Sequence, residues 1–143
     1  MLIDSLSFYI SYLRKNFTDF CSEKLSEIGV TYGQVFIIIY IGKNECCSPK
    51  DISKALNLDA GHLNRTLSKL IESDFILQTK NENDKRANIL TLTSKGQEVF
   101  KRSYSLFDEW DDLVLSSFTN DERDQLMKLI KKAVLSENKN IIK

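Results

Sequence analysis

The sequence predicts a mainly α fold carrying one small β-hairpin, on three observations. The 143 residues include only five glycines and one proline, too few turn formers for a many-stranded sandwich or barrel. Apolar residues recur at helical spacing through most of the chain. Only one pair of β-prone segments stands out, Ile76–Lys80 and Asn88–Thr93, on either side of a polar stretch. A chain of this length buries roughly two-thirds of its unfolded surface, so a core forms without a disulfide or metal staple.

The first helix is expected from about Ser5 to Glu27. Leu6, Ile10, Leu13, Phe17, Phe20 and Leu25 recur at three-to-five spacing, and Phe8, Tyr9 and Tyr12 widen the apolar face to two sides. A helix greasy on two sides wants two partners, its own domain and a second subunit. Thr31 and Gln34 form a capping box that opens a helix to about Asn44. The β-branched run Val35–Ile39 competes for a buried strand, and the explicit cap decides for helix. Ser48, Pro49 and Asp51 supply an N-cap, a harmless first-turn proline and an acid at the dipole's positive end, for a short helix ending near Leu56. After the tight connection Asn57-Leu58, Asp59 caps a helix over Ala60–Ser73. Leu63, Leu67, Leu70 and Ile71 share one of its arcs, and His62, Arg65, Thr66 and Lys69 another. The hairpin follows, with residues 81–87 as its charged tip. Ser94 to Gln97 caps a long helix to about Phe118, striped by Phe100, Tyr104, Phe107, Trp110 and Val114, and Thr119 to Glu122 caps the last.

Composition excludes several function classes. Twenty Lys+Arg balance twenty Asp+Glu, which argues against a general polyanion binder, yet the charges are segregated. Between Ala60 and Lys95 lie Arg65, Lys69, Lys80, Lys85, Arg86 and Lys95 against four acids, whereas Asp108 to Asp124 holds seven acids and only Arg123. The longest apolar run, Val35–Ile41, is seven residues, when roughly twenty cross a bilayer. No membrane association is therefore expected. The N-terminus lacks the pattern of a secretory signal, and three cysteines, two of them adjacent, do not form a disulfide framework. The expectation is a cytoplasmic protein with reduced thiols. Catalysis is not expected either. The single histidine is His62, and no nucleophile elbow, phosphate loop or metal-spaced Cys/His set exists, so neither metal nor cofactor is anticipated.

Helix, short helix, tight turn, outward-polar helix and charged hairpin, in that order within Thr31–Thr93, make the frame of a winged helix-turn-helix. A major groove admits one helix, and base edges are read by Arg, Asn or His on the face away from the core. His62, Asn64 and Arg65 lie in the first turns, where such a helix enters, and Ala60 and Gly61 let its backbone approach closely. Lys50, Lys54 and Lys69 suit phosphate oxygens, which fix register without reading sequence.

The same residues resemble the MarR family of transcriptional regulators. Asp59–Leu70 fits the family's recognition-helix frame. Asp84-Lys85-Arg86 followed by Leu92-Thr93-Ser94-Lys95-Gly96 is similar to its wing signature, Asp-x-Arg then Leu-Thr-x-x-Gly. The specific likeness covers Ser48–Gly96. It implies that Arg86 reaches the minor groove, with Asp84 orienting it and Lys85 beside it. It also implies a homodimer formed by the first and last helices, with two recognition helices about 34 Å apart on a pseudo-palindromic site. Thr66 stands where members often carry an apolar residue, and Gly61 and His62 where small hydroxyl residues are common, so the base preference does not carry over. The implied layout is one domain, with 31–96 as the DNA-binding part and 1–30 and 97–143 as dimerisation helices. The implied function is a sequence-specific regulator of double-stranded DNA, a repressor responding to a small molecule or to oxidation. A protein-interaction module on the same fold, without DNA binding, is the alternative.

Other features have two readings each. Tyr12, Phe36, Tyr40, Tyr104, Phe107 and Trp110 would line a pocket for a small aromatic or amphipathic effector, or be ordinary core. Cys21, near the expected interface, would be an oxidation sensor or a small buried hydrophobe. Cys46-Cys47 would be two thiols or, less comfortably, a strained vicinal disulfide. The acids at 108–112 lack the spacing of a calcium loop and suit solvated surface.

Overall fold

A computed structural model describes residues 3–83 and 88–136. Among the described residues six helices and two strands follow one another as α1 (Leu6–Ser26), α2 (Tyr32–Asn44), α3 (Pro49–Leu56), α4 (Ala60–Glu72), β1 (Ile76–Lys80), β2 (Asn88–Leu92), α5 (Ser94–Val114) and α6 (Asn120–Leu135). The chain divides into two compact units, Met1–Phe107 and Asp108–Lys143.

Caps set most boundaries. The Thr31–Gln34 box closes reciprocally at 3.0 and 3.2 Å, and the run Val35–Ile39 is helical behind it. Four residues of that helix, Val35, Ile37, Ile38 and Ile41, are buried. Burial on more than one side explains why the segment carries β-branched residues without alternation. Ser48 and Asp51 form a second box, and the two Ser48 donors hold the Asp51 carboxyl below the usual carboxylate range. Asn57, in the left-handed region at φ 52°, ends α3, and the Ser53 hydroxyl donates to the Leu58 carbonyl at 2.7 Å.

The core of the first unit gathers every element up to α5: Leu25 from α1, Ile38 from α2, Ile52 from α3, Leu63 and Leu70 from α4, Ile76 and Leu90 from the strands, Leu106 from α5. The strands pair antiparallel, Ile76 opposite Leu92 through Lys80 opposite Asn88. Cys47, just before α3, adds a bridge to Leu90 through both backbone groups, at 3.3 and 2.7 Å. The hairpin is thereby hydrogen-bonded to the segment that starts the helix pair.

Several expectations shift. α1 is divided along its length rather than across two sides. Cys21 and Leu25 are buried and Phe17 and Phe20 pack on the core, while Leu6, Tyr9, Ile10, Tyr12 and Leu13 are exposed, Leu6 at 71% and Ile10 at 55%. On α4, Leu63, Leu67 and Leu70 are inside, but Ile71 is exposed. The cap of α5 is Thr93, not Ser94: its hydroxyl accepts from the Gly96 N–H at 3.0 Å. α5 stops at Val114 instead of Phe118, where a turn with a Phe118 N–H to Leu115 carbonyl bond intervenes.

In the second unit the Thr119–Glu122 box starts α6, and Arg123 donates to the Asp112 carboxylate at 2.9 Å. α6 buries no residue, and its Met127, Leu129, Ile130, Val134 and Leu135 are exposed. Among the described residues no helix is long and apolar enough to cross a membrane.

Candidate nucleic-acid interface

α4 turns its apolar arc inward and leaves Ala60, Gly61, His62, Asn64, Arg65 and Lys69 exposed. The Asp59 carboxylate accepts from the His62 N–H at 2.9 Å. Its remaining first-turn N–H groups face outward with the positive end of the helix dipole. The hydroxyls of Thr66 and Ser68 donate back to the carbonyls of His62 and Asn64, both at 3.0 Å, so these two are turned onto their own helix. A side chain at Gly61 would lie 3.2 Å from Asp59 Oδ2 and 3.5 Å from Arg65 Nη1. Glycine therefore leaves a gap on the first turn with the Arg65 guanidinium beside it.

Lys50 and Lys54 are exposed on α3. With Arg65 and Lys69 on α4 they make four exposed cations on the helix pair, groups that suit phosphate oxygens. Asp84, Lys85 and Arg86 lie outside the described residues.

The C-terminal end of α4 is fastened by residues that periodicity did not single out. Lys95 Nζ donates to the Ser73 carbonyl at 2.9 Å and sits 4.4 Å over the Phe75 ring. The Thr93 hydroxyl reaches the carbonyls of Asp74 and Phe75 at 2.6 and 3.2 Å. Only the segment Leu92–Gly96, read as part of a wing signature, signalled this junction in the sequence.

Of the aromatics expected around an effector pocket, two are in contact within the first unit. Phe36 stacks on Phe107 at 6.0 Å, Tyr40 packs against the core, and Tyr104 meets Phe100 edge-on at 5.2 Å with Lys43 over its ring. Tyr12 is 61% exposed, and Trp110 belongs to the second unit. Cys21 is fully buried, and burial pushes its thiol up to about 11, away from the thiolate that oxidants attack. Cys46 and Cys47 are free thiols, Cys46 exposed and Cys47 buried. Among the described residues no group of three or more His, Cys, Asp or Glu side chains is placed to hold a metal ion.

The MarR family model matches residues 30–87. An HTH-type transcriptional regulator, BilQ, from Clostridium symbiosum (strain WAL-14163) is 41% identical over 128 residues, covering 90% of this chain and 89% of the relative. The reduced form of MarR from E. coli superposes with a TM-score of 0.83 at 26% identity, covering 93% of this chain and 98% of that one. A mutant of the same protein complexed with operator DNA gives 0.79 at 26% identity, over 90% and 92%. A mainly helical chain with an antiparallel hairpin behind an outward-polar helix, and a relative this similar along nearly its whole length, place the protein in the MarR family. It is a transcriptional regulator of that family and not an enzyme.

Proposed function

We propose that this chain binds double-stranded DNA sequence-specifically, as a homodimer on a pseudo-palindromic operator in the cytoplasm, and acts there as a repressor whose affinity a small molecule sets. The observation that carries the reading is the bare polar face of α4. His62, Asn64 and Arg65 stand exposed at its N-terminal end, with Lys69 exposed further along α4 and Lys50 and Lys54 exposed on α3, while its other arc is locked into the core. Residues 31–96 are the DNA-binding part, and 1–30 and 97–143 the dimerisation segments. Asp84, Lys85 and Arg86 form the minor-groove contact by their likeness to the family's wing signature. The buried Cys21 favours control by a ligand over control by that thiol.

Equilibrium binding to cognate and scrambled duplexes across a salt series tests this. Affinity should fall as a power of salt concentration through counterion release, with sequence preference persisting. Arg65→Ala should reduce discrimination by about 1–3 kcal/mol. Arg86→Ala should weaken binding and leave the dimer intact. Absent or salt-insensitive binding would turn the reading toward a protein-interaction module.

A further inference from the structure

Long helical side chains lean toward the helix N-terminus, so Arg65 comes to lie over the residue four positions earlier. That residue is Gly61. A Cβ at Gly61 would stand 3.5 Å from Arg65 Nη1 and 3.2 Å from Asp59 Oδ2, so the guanidinium and the carboxylate border one vacant spot on the first turn of α4. The carboxylate is pinned there by the bond it accepts from the His62 N–H. Opposite charges this near attract without direct contact, and the attraction strengthens where a duplex displaces water. Thr66 and Ser68 spend their hydroxyl protons on their own helix, which leaves the outward side-chain donors of the first two turns to His62, Asn64 and Arg65.

We propose that Asp59, acting across the space that Gly61 leaves, is the positioning residue for Arg65, and that Gly61 and Asp59 together make Arg65 the chief specificity determinant of α4. The inference rests on the DNA-binding reading above and assigns roles within it. A free arginine side chain gives up much rotamer freedom when it grips a base, and one already held across the first turn has less to lose. A planar fork held in one orientation matches the paired acceptors of a guanine edge. The carboxylate also repels phosphates, so at the entering end of the helix it lowers affinity for any duplex while raising base preference.

The test uses the full chain and a duplex that the wild type selects from a randomised pool, together with every single base-pair substitution of it. Arg65→Ala marks the position that Arg65 reads. Asn caps a helix as well as Asp does, so Asp59→Asn keeps the cap and removes the charge. It is expected to lose about fivefold or more of the preference at that position, keep the preferences elsewhere, and bind scrambled duplex at least as tightly as the wild type. Gly61→Ala, which crowds both groups on a helix whose propensity it improves, should lose preference at the same position. In an Arg65→Ala background neither substitution should change the profile further. A role in capping alone leaves the profile of Asp59→Asn unchanged. An unchanged profile in either single variant, a loss spread evenly over all positions, or an undiminished effect without Arg65 overturns the proposal. Order in the DNA-free protein is measured separately by the heteronuclear NOE of Arg65 Nε, which should be high in the wild type and fall in both variants, with thermal unfolding showing that both fold. Equal values in the three chains overturn the positioning. If the wild type selects no duplex while the NOE behaves as expected, it is the DNA reading that falls.

Discussion

A chain carrying Ile10→Glu on α1 is expected to sediment as a monomer and to lose operator affinity by two or more orders of magnitude. Ile10 is 55% exposed, so the substitution places a charge where the protomer makes no core contact, and the fold should survive. What it removes is the apolar surface that a second copy would cover. The N-terminal half of α1 presents Leu6, Tyr9, Ile10 and Leu13 to solvent, and α6 independently presents Met127, Leu129, Ile130 and Val134. Monomers rarely carry apolar surface of that extent without a partner for it, and stable interfaces bury about 1,200–2,000 Å². Two half-sites held by one dimer gain a factor of about 10²–10⁴ over either alone, and a monomer forfeits that factor. Ile130→Glu on α6 should act in the same direction. Sedimentation equilibrium with operator titration measures both effects. A monomeric wild type, or a charged variant that stays dimeric with unchanged affinity, would refute the proposed interface.

Gly96→Ala should lower the melting temperature by on the order of 5 °C or more, although it puts a better helix former into α5. Helix propensity alone favours alanine by about 0.8–1 kcal/mol. A Cβ at Gly96, however, would collide with the Phe75 carbonyl oxygen and approach the Leu92 side chain to 3.3 Å. The first of these obstacles is backbone, in the segment that Thr93 and Lys95 fasten, and it cannot rotate away. Overpacking of this kind costs typically 1–3 kcal/mol and sometimes more, enough to reverse the propensity gain. Gly33→Ala is the control: nothing lies within 4 Å of a Cβ there, and stability should hold or rise by up to about 1 kcal/mol. Thermal and urea unfolding compare the three chains. Equal stability of Gly96→Ala and wild type would show that the α4–α5 junction tolerates the insertion and is not tightly packed.

Local chemistry made most of this fold legible. The reciprocal caps at Thr31–Gln34, Ser48–Asp51 and Thr119–Glu122 are written in adjacent residues, and each marks where its helix begins. The outward face of α4 could be read for the same reason, since a period of 3.6 separates Leu63, Leu67 and Leu70 from Arg65 and Lys69. What periodicity could not supply was the context along and between elements. It does not distinguish a helix apolar on two sides from one buried at one end and bare at the other, which is how α1 is built. Nor does it find the fastening of Ser73 and Phe75 by Lys95 and Thr93, because these are joined by tertiary packing alone. The cap of α5 was misplaced by one residue because Thr93 and Ser94 are chemically equivalent candidates. The turn at 115–118, Leu-Ser-Ser-Phe, was absorbed into that helix because it holds no glycine or proline to announce it.

The double backbone bridge between Cys47 and Leu90 has an architectural corollary. Because main-chain groups join the middle of β2 to the lead-in of α3, the offset between the hairpin and the start of α3 is set by backbone hydrogen bonds and not by side chains. A sequence drifting toward a differently proportioned target therefore has one economical route on this scaffold. It would lengthen or shorten the connection between β1 and β2 and leave the ladder in register.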